Sequence, residues 1–347
     1  MKIPEWPVKI AISMRAPMRN QYRLFDEASA PLALPVRSPS ADVITVKSNT
    51  RAASESEGAP AMQVCVLGSG SGGNSTVIKV GSRALLIDAG FGPMTTARRL
   101  QQIDLKVADL AAICVTHLDQ DHFRPTWVDT LVGFRIPVFI HRWHRELLDR
   151  MVGSERLYSA DLIRFFENEP FSPWTSDVEA EQLAIGTVKL PHDGKGTIAF
   201  HLQSQRGRVG LATDLGHVPE ELIHAFAGVD VLLIESNYDP QMQITSSRPA
   251  FLKKRIMGGH GHLSNEQAFD ACRRIADASP DGNPQRIVLL HRSQQCNCED
   301  VVKQIFGGES RFAGRVMLTQ QRRRTPWIPV RLLEAMRRDQ LRLSPVT

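Results

Sequence analysis

The sequence predicts an α+β fold in which two sheets pack face to face between outer layers of helix. Three observations carry this expectation. Short β-patterned runs separated by small turns occupy residues 63–87, and a second strand-rich series follows from 183 to 290. Each half also carries helical segments, which need a sheet face to cover. Finally, the apolar run Leu110 to Val115 ends abruptly in Thr116-His117-Leu118-Asp119-Gln120-Asp121-His122. Polar side chains at the end of a buried strand are costly unless something lies between them, and bound metal is the simplest occupant.

In chain order, Gln63 to Leu67 reads as a strand, and Gly68-Ser69-Gly70-Ser71-Gly72-Gly73-Asn74 as a tight crossing. Ser75 to Val80 and Arg83 to Ile87 follow as strands of an antiparallel meander, the last ending in Asp88-Ala89-Gly90. No helix opens after the glycine loop, so it reads as a crowded turn rather than a phosphate cradle, with Asn74 a candidate site-lining group. A helix is expected from Thr95 to about Gln102, a strand over Leu110 to Val115, a helix starting after Asp121, and a strand over Pro137 to Ile140. In the second half Leu183 to Leu190, Thr197 to Gln203, Arg208 to Ala212 and Val229 to Ile234 read as strands. Pro219 to Ala227 is helical, with acidic residues in its first turn. Ser264-Asn265-Glu266-Gln267 forms a capping box for a helix from Asn265 to about Ala276, and Arg286 to Leu290 supplies a late strand.

A chain of 347 residues, 42% hydrophobic, suits one enzyme-sized domain with extensions. The expected division is a loosely ordered, Pro- and Ser-containing stretch over 1–61, a catalytic domain over 62–307, and a basic extension over 308–347. Met62, just before the first strand, is a candidate translation start. Neither a membrane span nor a secretory signal is expected, since no long apolar run and no charged, apolar, small-residue leader occurs. The five cysteines, Cys65, Cys114, Cys272, Cys296 and Cys298, are odd in number and scattered, which favours reduced thiols and a cytoplasmic location. Of the net charge of +5, the C-terminal stretch 308–347 carries more than the whole, with nine Arg against three acidic residues. Two readings of it stand side by side: a DNA- or RNA-binding segment that tracks phosphates, or a solvated tail with one amphipathic helix from Val330 to about Leu341.

The chemistry recurs at strand ends. His117, Asp119, Asp121 and His122 fall within six positions, so one loop can present all four. Pro191-His192-Asp193 and Thr213-Asp214-Leu215-Gly216 each follow a strand, and Gly259-His260-Gly261-His262 precedes a helix. A single histidine of this kind is more often hydrogen-bonded or exposed than ligating. Their repetition after successive strands shifts the balance to a metal site.

The ordered set resembles the metallo-β-lactamase-fold hydrolases, and within them the cytoplasmic, nuclease-like WalJ/YycJ branch. The resemblance rests on the glycine loop 68–74, Leu86-Ile87-Asp88-Ala89-Gly90, the Thr116 to His122 run, Pro191-His192-Asp193, Ala212 to Gly216, Glu235-Ser236-Asn237-Tyr238-Asp239, Gly261-His262-Leu263-Ser264-Asn265, and partly on His291-Arg292-Ser293 with Asn297. It implies a four-layer αββα sandwich with two divalent metals at the exposed edge of the paired sheets. On this chain the first metal would take His117, the residue at 119 and His192, and the second Asp121, His122 and His262, with Asp214 bridging. Residue 119 departs from the pattern, which has His there. The extra carboxylate Asp119 favours manganese or iron over zinc, keeps zinc compatible, and could leave the first position empty.

The resemblance implies hydrolysis by a hydroxide held between the metals, a chemistry suited to phosphodiesters. Asp121 is expected to bind metal and orient the hydroxide, with a ligand-only role as the alternative. Asp88 is expected to fix a ligand histidine, Lys195 to meet a substrate phosphate unless it is a plain surface lysine, and Asn74, His291 and Ser293 to donate to a nonbridging oxygen. His260 could donate likewise, although its glycine neighbours already account for its surroundings. Glu235 and Asn237 fit a network behind the site. A metal-dependent phosphodiesterase or nuclease is the leading expectation. An ester, lactone or thioester hydrolase and a metal-binding protein with a degraded site are the rivals.

Overall fold

A computed structural model describes residues 62–279 and 283–330. The readings made for 1–61 and for a helix running on to Leu341 lie outside the described residues.

Strands β1 (Met62–Gly68), β2 (Ser75–Val80) and β3 (Arg83–Ile87) form the expected antiparallel meander. Pairing then turns parallel, as β4 (Leu110–Val115), β5 (Val138–His141) and β6 (Ile163–Phe166) add one after another. Helix α1 (Pro93–Gln101) links β3 to β4, α2 (Val128–Phe134) links β4 to β5, and α3 (Arg145–Asp149) with α4 (Ser154–Ser159) links β5 to β6. The second half repeats the plan. β7 (Ala184–Leu190), β8 (Thr197–Ser204) and β9 (Gly207–Ala212) are antiparallel, and β10 (Val231–Glu235), β11 (Arg286–Leu290) and β12 (Val316–Leu318) continue in parallel. Helices α5 (Glu220–Phe226), α6 (Pro240–Thr245), α7 (Ala250–Met257), α8 (Asn265–Ala278) and α9 (Glu299–Gly307) belong to this half. A last strand, β13 (Ile328–Val330), returns to pair with β1.

Strand alternation explains the layering. In β1 and β11 every second side chain faces the opposite sheet: Val64, Val66, Val288 and Leu290 join Phe200, Leu211 and Leu233 in the inter-sheet core. The intervening Cys65 and Leu67 pack outward with Leu100, Trp127 and Leu131, while Ile287 and Leu289 pack outward with Phe226, Ile275 and Phe306. Strands buried on both faces read as unbroken apolar runs. The result is the expected αββα sandwich. Among the described residues no helix is long and apolar enough to cross a membrane.

The helix expected after Asp121 follows a 3-10 turn that Pro125 opens over Pro125–Trp127, and runs as α2. One expectation needs correction. The boundary at 307 falls inside the fold, because β12 extends one sheet and β13 the other. Arginines of this stretch serve it directly. Arg311 pairs with Asp277 and Glu309, and Arg324 donates to the Gln102 carbonyl. The strands β6, β12 and β13 were not anticipated, being three or four residues long. By contrast the capping box is present as read, with Ser264 Oγ accepting from the Gln267 amide and Gln267 Oε1 from that of Ser264.

Candidate metal centre

The polar residues gather where the strands of both sheets end. β4 delivers Thr116 to His122, β7 delivers His192, β9 Asp214, β10 Glu235 and β11 His291, and His262 arrives just before α8. Several of these chain ends turn sharply. Asp88, Asp193, Asp214 and His291 adopt positive φ of 61°, 42°, 55° and 48°, a left-handed conformation that Asp and His tolerate better than most residues. The glycine loop closes against the same loop. A Cβ on Gly73, where φ is 146°, would lie 2.8 Å from the Gly90 carbonyl oxygen, and the Asn74 amide donates to the Asp121 carbonyl at 2.7 Å. The loop is thus the crowded turn its sequence suggested.

Among the described residues four groups of side chains bring ligand atoms within 4.8 Å of one another: His117, Asp119 and His192; His117, His122 and Asp214; Asp121, His122 and His291; and Asp214, Glu235, His262 and His291. The first matches the set implied for one metal. The second set differs from its expectation, because the histidine beside Asp121 and His122 is His291, whose Nε2 lies 3.6 Å from Asp121 Oδ2. His262 instead turns Nδ1 to the fully buried Glu235, 2.7 Å away, with Asp214 Oδ1 at 3.5 Å. Sequence order concealed this, since His291 follows β11 and His262 precedes α8, and only their packing decides which one faces Asp121.

His122 is the most constrained member. Its Nδ1 lies 2.7 Å from Asp88 Oδ2 and its Nε2 2.8 Å from Asp214 Oδ2. Asp88 also accepts from the Thr116 amide (2.8 Å) and hydroxyl (3.0 Å), so it fixes the ring as anticipated. Burial opposes a charge on His122, but Asp214 and Asp88 outweigh it and hold its pKa well above the usual value. His291 behaves alike: burial opposes its charge and Asp214 restores it. Reciprocally, burial would raise the Asp214 carboxyl, yet His291 and His122 hold it well below the ordinary range. His117 goes the other way, lowered by burial and then by the neighbouring His122, which leaves a neutral imidazole of the kind metals bind.

The donor set suits divalent cations. Imidazole nitrogens and carboxylate oxygens converge, and the buried His291 Nε2 has no hydrogen-bond partner. An imidazole nitrogen 2.8 Å from a carboxylate needs a proton or a cation beside it, and a metal would release that proton. His117 Nδ1 is oriented by the hydroxyls of Thr116 (3.0 Å) and Thr197 (3.2 Å), the latter a supporting residue sequence reading missed.

The remaining candidates are placed as follows. Asn74 Nδ2 reaches His122 Nε2 at 2.9 Å and the Asp121 carbonyl at 3.3 Å, while its Oδ1 accepts from Ser69 and Gly70. It ties the glycine loop to the His-Asp run. Asp119 is more than half exposed, 3.8 Å from His117 Nε2, with its carboxyl raised by burial and then by Asp121. Lys195 and His260 are exposed, and neither belongs to the ligand groups. Asn237 Nδ2 donates to the His291 carbonyl, and Ser293 hydrogen-bonds Arg248, so both stand behind or beside the ligands. Glu235 accepts from the Leu215 amide and faces His262 and His291, the network role expected of it. Cys65, Cys114, Cys272, Cys296 and Cys298 are unpaired and none enters the groups.

A family model described as the beta-lactamase superfamily domain matches residues 83–291, over half of the chain. The chain belongs to the beta-lactamase superfamily. Within this superfamily it is 26% identical over 243 residues to exodeoxyribonuclease YycJ of Bacillus anthracis, covering 69% of this chain and 85% of the relative. Similarity to exodeoxyribonuclease WalJ of Streptococcus pneumoniae is also 26%, over 238 residues, covering 68% and 83%. Solved structures share the fold: the metallo-beta-lactamase fold protein YhfI of Bacillus subtilis (TM-score 0.54, 14% identity, 76% of this chain and 98% of that one) and the short form of human tRNase Z (TM-score 0.50, 17% identity, 76% and 99%). The protein is therefore a metallo-β-lactamase-fold hydrolase resembling the WalJ/YycJ branch, with side chains arranged for divalent metal.

Proposed function

We propose that the chain is a metal-dependent phosphodiesterase that cleaves nucleic acid, with DNA as its first candidate substrate. The observation that carries this reading is Asp214, a buried carboxylate grouped at once with His117, from one proposed set, and His122, from the other, and 3.0 Å from Nδ1 of His291. A shared carboxylate suits two cations a few ångströms apart, and the similarity to two exodeoxyribonucleases over more than four-fifths of their length supports the substrate class.

In this reading His117, Asp119 and His192 hold one cation, Asp121, His122 and His291 the other, and Asp214 both. Bound there, such a pair supplies charge to neutralise a phosphoryl oxygen and to make water nucleophilic. Asp88 holds His122 in the tautomer that leaves Nε2 free to coordinate. Asp121, its side chain about a quarter exposed, is placed to orient the attacking water and accept its proton. His262 turns Nδ1 to Glu235, which restores the charge that burial opposes. That arrangement suits a proton donor to the departing oxygen. Asp119 inclines the first position to manganese or iron. The arginines in 331–347 enter the proposal as additional phosphate contacts.

Elemental analysis of protein purified without added metal, paired with turnover of bis-p-nitrophenyl phosphate and short single-stranded DNA in Mn²⁺, Fe²⁺ or Zn²⁺, tests it. Two metals per chain, with turnover lost in D121A and H192A, is the expected result. One metal or none, or turnover indifferent to both substitutions, overturns the two-cation reading. Two metals with hydrolysis confined to carboxylic esters or lactones overturns the substrate class.

A further inference from the structure

Between β10 and α8 the chain makes an excursion through α6 and α7 that forms one wall beside the metal centre. Every charged residue between Asp239 and Glu266 is basic: Arg248, Lys253, Lys254 and Arg255, with His260 and His262. Against this wall lies a cavity of about 420 Å³, lined among others by Ser71, Arg248, Arg255, His262 and Ser293. It shares His262 with the centre, and its volume lies within the range of small-ligand sites.

The two guanidinium groups of the cavity are held differently. Arg255 grips Asp193 with two nitrogens, so its charge is matched. Arg248 donates from Nε to Gln295 Oε1 (3.1 Å), from Nη1 to the buried Gln243 Oε1 (3.0 Å) and from Nη2 to Ser293 Oγ (3.2 Å). All three acceptors are neutral, and among the described residues no carboxylate lies within ion-pair distance of Arg248. The group is pinned in place with its charge unmatched, and two of its five N–H bonds, one on each terminal nitrogen, are left over. Paired N–H donors of a guanidinium are what arginine offers a phosphate in a two-pronged contact. Its anchor also fixes its distance from the chemistry. Ser293 follows His291 by two residues, so their Cα atoms are at most about 7.6 Å apart, and the Ser293 amide is bonded to the Asn237 carbonyl at 2.8 Å.

We propose that Arg248 is the specificity residue of a phosphate subsite beside the centre, receiving the phosphate that neighbours the scissile one on a nucleic-acid strand. The inference rests on the phosphodiesterase reading and adds to it a requirement: the preferred substrate carries a second phosphate next to the bond that is cut. Fixing a cation before the strand arrives avoids an ordering cost on binding. A purely architectural Arg248, joining α6 to the β11 end, would lack this substrate dependence.

The test compares thymidylyl dinucleotides with the single internal phosphate (TpT) or with an added terminal phosphate (pTpT and TpTp), in wild type, R248K and R248M. Wild type should prefer one phosphorylated dinucleotide by about tenfold or more in kcat/KM. R248M should bring that ratio close to one, with R248K between, because lysine keeps the charge and loses the fork. A wild-type ratio near one, a ratio retained in R248M, or equal losses on TpT and both phosphorylated forms each overturn the subsite. A second readout needs no turnover. Binding of a fluorescein-labelled single-stranded oligonucleotide in EDTA should show a log K against log salt slope shallower by about 0.7 in R248M, the value for one lost phosphate contact on a single strand. An unchanged slope overturns the subsite even if no diester is hydrolysed, whereas a changed slope with no hydrolysis of any diester by wild type rejects the phosphodiesterase reading and keeps the phosphate subsite.

Discussion

Replacing Asp88 by Asn should weaken one metal-binding step while leaving the fold intact. Asp88 is 2% exposed and accepts three hydrogen bonds, from His122 Nδ1 at 2.7 Å and from the amide and hydroxyl of Thr116. Asn has the same shape and can keep the Thr116 amide bond through its oxygen. Its NH₂ then confronts the N–H on His122 Nδ1, donor against donor. The imidazole escapes by changing tautomer, which moves its proton to Nε2, the atom that faces Asp214 at 2.8 Å. A coordinating lone pair is thereby replaced by an N–H. Loss of an outer partner of a ligand histidine weakens metal binding by about 10–100-fold, equivalent to roughly 1.4–2.7 kcal/mol. The loss should be confined to the group of Asp121, His122 and His291, because His117 is oriented by two hydroxyls rather than by Asp88 itself. Competition titration against a chromogenic chelator, with circular dichroism as the control for folding, reads both steps separately. Two binding steps of wild-type strength in a folded D88N protein would refute the argument that Asp88 sets the tautomer.

Other perturbations follow from the same geometry. D214N should lower turnover by more than the roughly 10–100-fold typical of an outer partner, and should weaken both binding steps, which the same titration would show. Chelation should lower the melting temperature. At metal a thousandfold above Kd the linkage is about 4 kcal/mol, or about 8–16 °C for a domain of this size, measurable by scanning calorimetry at several metal concentrations. Truncation after residue 307 removes Phe312, Ile328 and Val330, all buried, at about 1.5–3 kcal/mol each. That sum rivals the stability of a whole domain, so this form should show no cooperative melting transition by circular dichroism. His141 is lowered to about 4, chiefly by burial and next by Lys189. Its contribution to stability is complete above about pH 6.5 and is lost as pH falls through 6.5 toward 4, because the unfolded chain takes up the proton first. NMR titration of its ring should show the neutral form persisting at pH 5.

The sandwich was legible because its central strands are buried on both faces and carry unbroken apolar runs, as Arg286–Leu290 and Val231–Glu235 do. The site was legible because ionisable residues interrupt those runs at their ends. Partnership was not, since it depends on the order of strands in space. His291 and His262 each fit the pattern of a ligand, and only the packing of β11 beside β10 turns His291 toward Asp121 and leaves His262 to Glu235. Short elements escaped for a different reason. β12 and β13 have three residues each, too few for a period of two to declare itself, and are held by pairing with strands far away in sequence. Arg248 escaped too, because an arginine in a polar loop looks the same whether its charge is matched or not.

The third strand of each half ends in an aspartate, Asp88 after β3 and Asp214 after β9, and both turn into the left-handed region, at φ of 61° and 55°. Few side chains accept that turn, and they are chiefly Gly, Asn, Asp and His. Two of those four are also common metal ligands. A random substitution at either corner is therefore screened twice, first by the backbone and then by the chemistry, and those that survive the first screen form a short list already rich in ligands. A library that varies Asp88 and Asp214 over Asp, Asn, His and Gly alone would change the chemistry at both corners while keeping the chain path intact.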